Sequence, residues 1–184
     1  MTLKSSAVFV ALALILPVPV LTGPVNIALA QEEMRAQPKC DAMVAPPPAL
    51  SGWSSKADVA SATKADGVSA AALTVNHGAN VTLHPTREIS FITQPDKPGG
   101  SVAHGGMAGV SIAATGTYQV NLNSGAWIDL FKDGKLVESS AHAPGPACTG
   151  IRKTVQFPLT PGQYVLQISA NADPEIAVMV SLVR

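Results

Sequence analysis

Gly116-Thr117-Tyr118-Gln119-Val120-Asn121-Leu122 runs, after a short break, into Ala126-Trp127-Ile128-Asp129-Leu130-Phe131-Lys132-Asp133-Gly134-Lys135-Leu136-Val137, and this stretch decides the fold. In its first half Tyr118, Val120 and Leu122 fall on one side of an extended chain, and Gln119, Asn121 and Asn123 on the other. A period of two with one apolar side is the pattern of a half-buried strand. In its second half Asp133-Gly134 separates two apolar runs by two residues. A type I′ hairpin turn needs positive φ at both central positions, which Asp and Gly adopt at low cost.

The same reading extends outward. Tyr164, Leu166 and Ile168 oppose Val165, Gln167 and Ser169, and Ile176, Val178, Val180 and Leu182 form a third apolar face. Pro161-Gly162 supplies a turn before the run beginning at Gln163, since Pro presets φ at the first central turn position. Candidate strands are residues 72–75, 80–84, 88–93, 109–113, 116–122, 126–132, 135–139, 153–159, 163–169 and 175–183. Short strands broken by Gly, Pro, Asn and Asp at intervals near ten predict an all-β fold. The expected architecture is an antiparallel, jelly-roll-like β-sandwich over residues 53–184. Tyr118, Trp127, Phe131, Phe157 and Tyr164 place its densest core between residues 118 and 164.

The N-terminal flank reads differently. Residues 1–30 have a basic start at Lys4, an apolar run over 7–20 and an Ala28-Leu29-Ala30 cleavage pattern. These are the parts of a secretory signal peptide. Pro17, Pro19 and Gly23-Pro24 interrupt the run and count against a membrane anchor, which needs about 20 apolar residues. No membrane span is expected in the mature chain. Residues 31–52 lack apolar periodicity and carry Pro46-Pro47-Pro48, so they read as an extended Pro-rich arm lying on the surface. Residues 54–72 are Ala-rich and fit a strand, a loop or a helical turn alike.

Export gives the cysteine count its meaning. Cys40 and Cys148 are the only two, and an oxidising compartment, periplasmic or extracellular, favours pairing them. A loop of that length contributes roughly 4.7 kcal/mol in the chain-entropy model. A nucleophilic or metal-binding thiolate would need a second nearby ligand, which the sequence does not supply.

Three segments also carry a family resemblance. Gly116-Thr117-Tyr118-Gln119-Val120, Trp127 through Lys135, and Leu159-Thr160-Pro161-Gly162-Gln163-Tyr164-Val165-Leu166-Gln167-Ile168 resemble the bacterial pre-peptidase C-terminal domain. The resemblance covers about residues 106–183. It implies a small β-sandwich on secreted proteins that binds or targets. A second likeness rests on Ser124-Gly125-Ala126-Trp127-Ile128-Asp129 and on Gly145 through Lys153. It is to short exported bacterial proteins sometimes labelled homogentisate dioxygenase. That likeness implies an alternative, a metal-dependent aromatic-ring dioxygenase. The iron ligands of the ring-cleaving enzyme come from a His/Glu cluster that has no residue-by-residue counterpart here.

The remaining chemistry is sparse. Twelve basic and twelve acidic residues give zero net charge, which excludes a large nucleic-acid-binding surface. His77, His84, His104 and His142 show no metal-ligand spacing, so no metal or other cofactor is expected. Were a metal present, His104 and His142, both in Gly/Pro/Ala-rich segments, would be the first ligands to test. Ser61-Ala62-Thr63-Lys64 matches S-x-x-K but lacks the accompanying motifs of penicillin-recognising enzymes. Residues 139–153 join His142, two prolines, Cys148, Arg152 and Lys153, and are pinned near Trp127 and Asp129 if the disulfide forms. Rigid polar groups beside an aromatic surface suit a polar ligand. Trp127, Asp129, His142 and Arg152 are therefore the candidate binding residues. The function expected is an exported, non-catalytic binding or envelope-associated module. Its partner would be a small polar ligand, a glycan or an envelope protein.

Overall fold

The computed structural model describes residues 40–183; the predicted signal peptide and residues 31–39 of the arm lie outside them. Two mixed sheets pack face to face. The first holds, in spatial order, β1 (Lys56–Ala60), β3 (Gly78–Thr82), β12 (Glu175–Leu182), β6 (Gly116–Leu122), β10 (Lys153–Leu159) and β9 (Ala141–Pro144). The second runs β2 (Ala72–Leu73), β5 (His104–Ile112), β11 (Gly162–Asn171), β7 (Trp127–Lys132) and β8 (Lys135–Val137), with β4 (His84–Pro85) also paired to β5. The all-β sandwich expected from the alternation is the fold observed.

The sheets are not purely antiparallel. β1 pairs parallel with β3, and β2 parallel with β5, each at a sheet edge. The cause is connectivity. Between β1 and β3 the chain visits the other sheet as β2, so it returns to β1 running in the same direction. Crossing between sheets is the rule elsewhere too: β5 to β6, β6 to β7, β10 to β11 and β11 to β12 all change sheet.

The two tyrosines close two of these crossings. Tyr118 Oη donates to the Ala114 carbonyl at 3.0 Å, across the β5–β6 arch. Tyr164 Oη donates to the Thr160 carbonyl at 2.8 Å and accepts from the Thr160 N–H at 3.1 Å, across the β10–β11 arch. Each ring is buried between the sheets while its hydroxyl satisfies backbone groups that an arch leaves unpaired. The β7–β8 hairpin forms as its turn residues require, with φ of 50° at Asp133 and 73° at Gly134.

The inward faces make one core. Tyr118, Val120 and Leu122, Val155, Phe157 and Leu159, and Ile176, Val178 and Val180 meet Val110 and Ile112, Ile128 and Leu130, and Tyr164, Leu166 and Ile168. Full burial of such side chains is worth about 1.5–3 kcal/mol each relative to exposure. The opposite, polar sides depart from the expected pattern. Asn121, Gln167, Ser169 and Ser181 are buried as well, although alternation placed them toward water.

Sheet two shows why. Residues 89–103 lie along the outer face of this sheet and use those polar groups as anchors. The Ile92 N–H donates to Gln167 Oε1 at 2.9 Å, and Gln167 Nε2 donates to the Thr93 carbonyl at 3.0 Å. Ser169 Oγ donates to the Lys97 carbonyl at 2.9 Å. Residues 88–93, expected as a strand, instead follow a 3-10 turn at Thr86–Glu88 and remain irregular. Their backbone groups bond to side chains of β11 in place of a neighbouring strand.

Sheet one has an apolar cover. Two short 3-10 turns, joined across a kink at Leu50, make up Pro48–Ser54 and bury Leu50 and Trp53. Both pack with Ile151, Ala177 and Met179 in a second cluster. The expected arm therefore ends in folded structure, and the boundary placed at Gly52 falls inside these turns. Gly52 lies so close to the Asn76 backbone that an added Cβ would collide with it. Upstream, Cys40 and Cys148 form the expected disulfide, with Cα atoms 5.5 Å apart, and the Val44 N–H donates to the Cys148 carbonyl at 2.8 Å.

Candidate functional site

Trp127 and Asp129 are two apart on β7 and so project to the same side. Their cross-strand partners on β11 are Ser169 and Gln167, the two residues that hold the 89–103 segment. Trp127 Nε1 donates to Asp129 Oδ1 at 3.0 Å, and Gln167 Nε2 approaches Asp129 Oδ2 at 3.4 Å. The carboxylate is thus oriented by two donors, one from its own strand and one from β11 beside it. Because Ser169 fixes the Lys97 backbone, the Lys97 ammonium reaches Trp127, 5.4 Å from the ring centroid.

A second lysine arrives from sheet one. Lys153 opens β10 on the same side as Val155 and Phe157. Its ammonium donates to the Ala126 carbonyl at 2.9 Å and lies 5.7 Å from the Trp127 centroid. Trp127, Asp129 and Lys153 line a recess of about 350 Å³ that also takes in Asp96, Glu138 and His142, with Leu136, Val155 and Phe157 as its apolar part.

The electrostatics follow from the geometry. Burial raises the Asp129 pKa above the ordinary carboxylate value. Hydrogen bonds from Trp127 and Gln167 and the charge of Lys153 oppose that rise, the Asp96 carboxylate adds to it, and the net direction is upward. Burial likewise lowers the Lys153 pKa, the positive charge of Lys97 lowers it further, and Asp129 opposes. Neither lysine has a carboxylate within ion-pair distance; among the described residues the one ion pair is Arg87–Glu88, at 3.4 Å on the surface.

The structure brings together three of the four residues marked in the sequence. Trp127, Asp129 and His142 line the recess, and Arg152 does not. Strand alternation separates the adjacent cations: Lys153 turns inward and Arg152 stays exposed, its backbone N–H bonded to the Leu122 carbonyl. Lys97, Asp96, Glu138 and Gln167 carried no local signal: the pairing of β7 with β11 and the path of residues 89–103 draw Gln167, Asp96 and Lys97 toward Trp127, and the β7–β8 hairpin brings Glu138 to the recess.

The histidines separate. His142 is on β9 at the edge of sheet one, whereas His104 opens β5 in sheet two, facing Pro85 on β4 and Asn171 on β11. His84 bonds the Ser61 carbonyl at 3.0 Å and His77 the Val75 carbonyl at 3.2 Å. Among the described residues no three His, Cys, Asp or Glu side chains group so as to hold a metal ion. Ser61 is buried and Lys64 exposed, so the S-x-x-K pair does not converge on a common pocket.

A second depression, of about 390 Å³, lies between Met43–Pro46 and Trp53, Lys56, Asn123 and Thr149. It holds one titratable group, Lys56, whose ammonium donates to the Trp53 carbonyl at 2.7 Å. The Trp127 recess has the richer chemistry. Among the described residues no helix is long and apolar enough to cross a membrane. Comparison of the chain with protein-family models finds no match, and no curated protein is significantly similar to it.

Proposed function

We propose that this chain is an exported, non-catalytic binding module, a β-sandwich of the pre-peptidase C-terminal type, whose Trp127 recess takes a small polar ligand or the end of a glycan. One observation carries the reading. Trp127 is half-buried with its N–H anchored on Asp129, and two lysines without ion-pair partners reach its ring. A rigid aromatic surface, a fixed carboxylate acceptor and the remaining donors of the Lys153 ammonium in a partly apolar recess match what a hydroxyl-bearing ligand needs. Burial of Asp129 favours binding over solvation, because hydrogen bonds to a charged acceptor strengthen as water is excluded. The Cys40–Cys148 bridge supports export to an oxidising compartment, periplasmic or extracellular.

Titration of the full chain with neutral and acidic mono- and oligosaccharides, followed by tryptophan fluorescence and calorimetry, tests the proposal. Saturable binding that Trp127→Ala weakens by about tenfold or more is the expected result. A panel that leaves both signals unchanged, or binding that survives Trp127→Ala intact, would count against it.

A further inference from the structure

We infer that the recess selects a positively charged ligand, an amino sugar whose ammonium pairs with a rim carboxylate, Asp96 or Glu138, while its ring hydroxyls meet Asp129 and Lys153. This rests on the reading of the recess as a binding site and adds the sign of its ligand's charge.

The charges of the lining are unequal. Asp96, Asp129 and Glu138 stand against Lys153 alone, so with His142 neutral the lining carries an excess of negative charge. The carboxylates come from three separate parts of the chain: the 89–103 segment, β7, and the residue that follows β8. Asp129 is engaged by Trp127 and Gln167, and Lys153 by the Ala126 carbonyl. Asp96 and Glu138 are exposed, and neither makes a hydrogen bond or an ion pair among the described residues. Lysines are near in sequence, Lys97 next to Asp96 and Lys135 three before Glu138, yet neither closes an ion pair. The Asp96 carboxylate is also near enough to disfavour the charged form of Asp129. An ammonium on the ligand would relieve that crowding and give a rim carboxylate its partner.

The arrangement favours an organic cation over a metal ion. The three carboxylates share one recess, but among the described residues no three His, Cys, Asp or Glu side chains group so as to hold a metal. Calcium takes about 6–8 oxygen ligands around one point, whereas an ammonium is satisfied by at most three acceptors. Nor does the indole receive the ligand's charge, because the Lys97 and Lys153 ammonium groups already lie 5.4 and 5.7 Å from its centroid. Lys153 spends one of its three donors on the Ala126 carbonyl, which leaves two for ring hydroxyls. Leu136, Val155 and Phe157 offer apolar contact to the carbon skeleton of a pyranose. A ring with several hydroxyls and one ammonium satisfies each of these groups together.

The experiment compares matched probes on the full chain near neutral pH: D-glucosamine, N-acetyl-D-glucosamine, D-glucose, D-glucuronate and calcium chloride. Binding is followed through the Trp127 indole N–H resonance, assigned with Trp127→Phe, and by calorimetry. Glucosamine should bind about tenfold more tightly than glucose or the N-acetyl sugar, the loss expected when one charge-assisted contact disappears. The double variant Asp96→Asn, Glu138→Gln, which removes no hydrogen bond of the fold, should erase most of that advantage. Added salt should weaken glucosamine and leave glucose unchanged. Equal binding of glucosamine and glucose, or an advantage that survives the double variant, would overturn the inference while leaving the binding module in place. Glucuronate binding more tightly than glucosamine would overturn the sign of the charge, and calcium binding more tightly would overturn the sugar. No response to any probe would remove the inference and the underlying reading together.

Discussion

Trp53 and Trp127 each carry a lysine ammonium near the ring, at 4.8 Å for Lys56 and at 5.4 and 5.7 Å for Lys97 and Lys153, yet the covers around them are built from opposite materials. Trp53 is 4% exposed and packs with Leu50, Ile151, Ala177 and Met179 on the outer side of sheet one. There the cover is apolar and covalently tethered upstream by Cys40–Cys148. On sheet two the cover is residues 89–103, held through Gln167 and Ser169, and Trp127 stays half-buried beside them. An apolar cover gives stability through area removed from water and needs no particular orientation. A polar cover gives less net energy but fixes where each group points. The first stabilises the fold, and the second positions a site.

Several substitutions can break this contrast. Trp53→Ala should destabilise by about 3–5 kcal/mol in chemical unfolding, whereas Trp127→Ala should cost roughly 1 kcal/mol. Equal losses would erase the distinction between the covers. Next in size, replacing both cysteines by serine should remove about 2–5 kcal/mol, read from the thermal midpoint. The same variant should leave ligand binding at Trp127 unchanged, because the tether serves the other sheet.

Gln167→Leu should cost about 1–3 kcal/mol, since it strands the Ile92 N–H and the Thr93 carbonyl without a partner. Its sharper signature is local: faster amide exchange at Ile92 and proteolysis within residues 89–103, with the Trp53 cluster still protected. Uniform loss of protection across both sheets would show that the polar cover is not a separate unit.

The smallest effect concerns Asp129. Its folded pKa is raised, first by burial, so the native state holds this proton more tightly than the unfolded chain. The contribution to stability is therefore present below the ordinary carboxylate pKa and is lost as pH rises through the raised value. Asp129→Asn removes that loss. Urea midpoints of the two proteins should diverge in favour of Asn as pH rises above the ordinary carboxylate value, and a pH-independent difference would refute the assignment.

How much was legible follows from which physics was local. The bounds of β6 and β10 agree with those read from alternation, and the Asp133-Gly134 turn forms as its residues dictate. Lys56–Ala60 gave no strand signal because it is largely small or polar; it becomes β1 only by adding in parallel to β3. Ala141–Pro144 is an edge strand exposed along its whole length, so no buried face required alternation, and an edge tolerates its proline. At the site, Trp127 and Asp129 were visible as an i, i+2 pair. Choosing Lys153 over Arg152 depended on which side of β10 faces the core.

By itself the sequence determined the all-β class, the tight hairpin, the pairing of the two cysteines and most of the inward-facing residues. Each depends on neighbours a few positions apart or on a choice with one alternative. Tertiary structure alone decided that Gln167 and Ser169 are buried, that Leu50 and Trp53 belong to the folded domain, and that Lys97 and Lys153 meet at Trp127. These outcomes depend on register between strands and on what lies over each sheet, and strand periodicity carries neither.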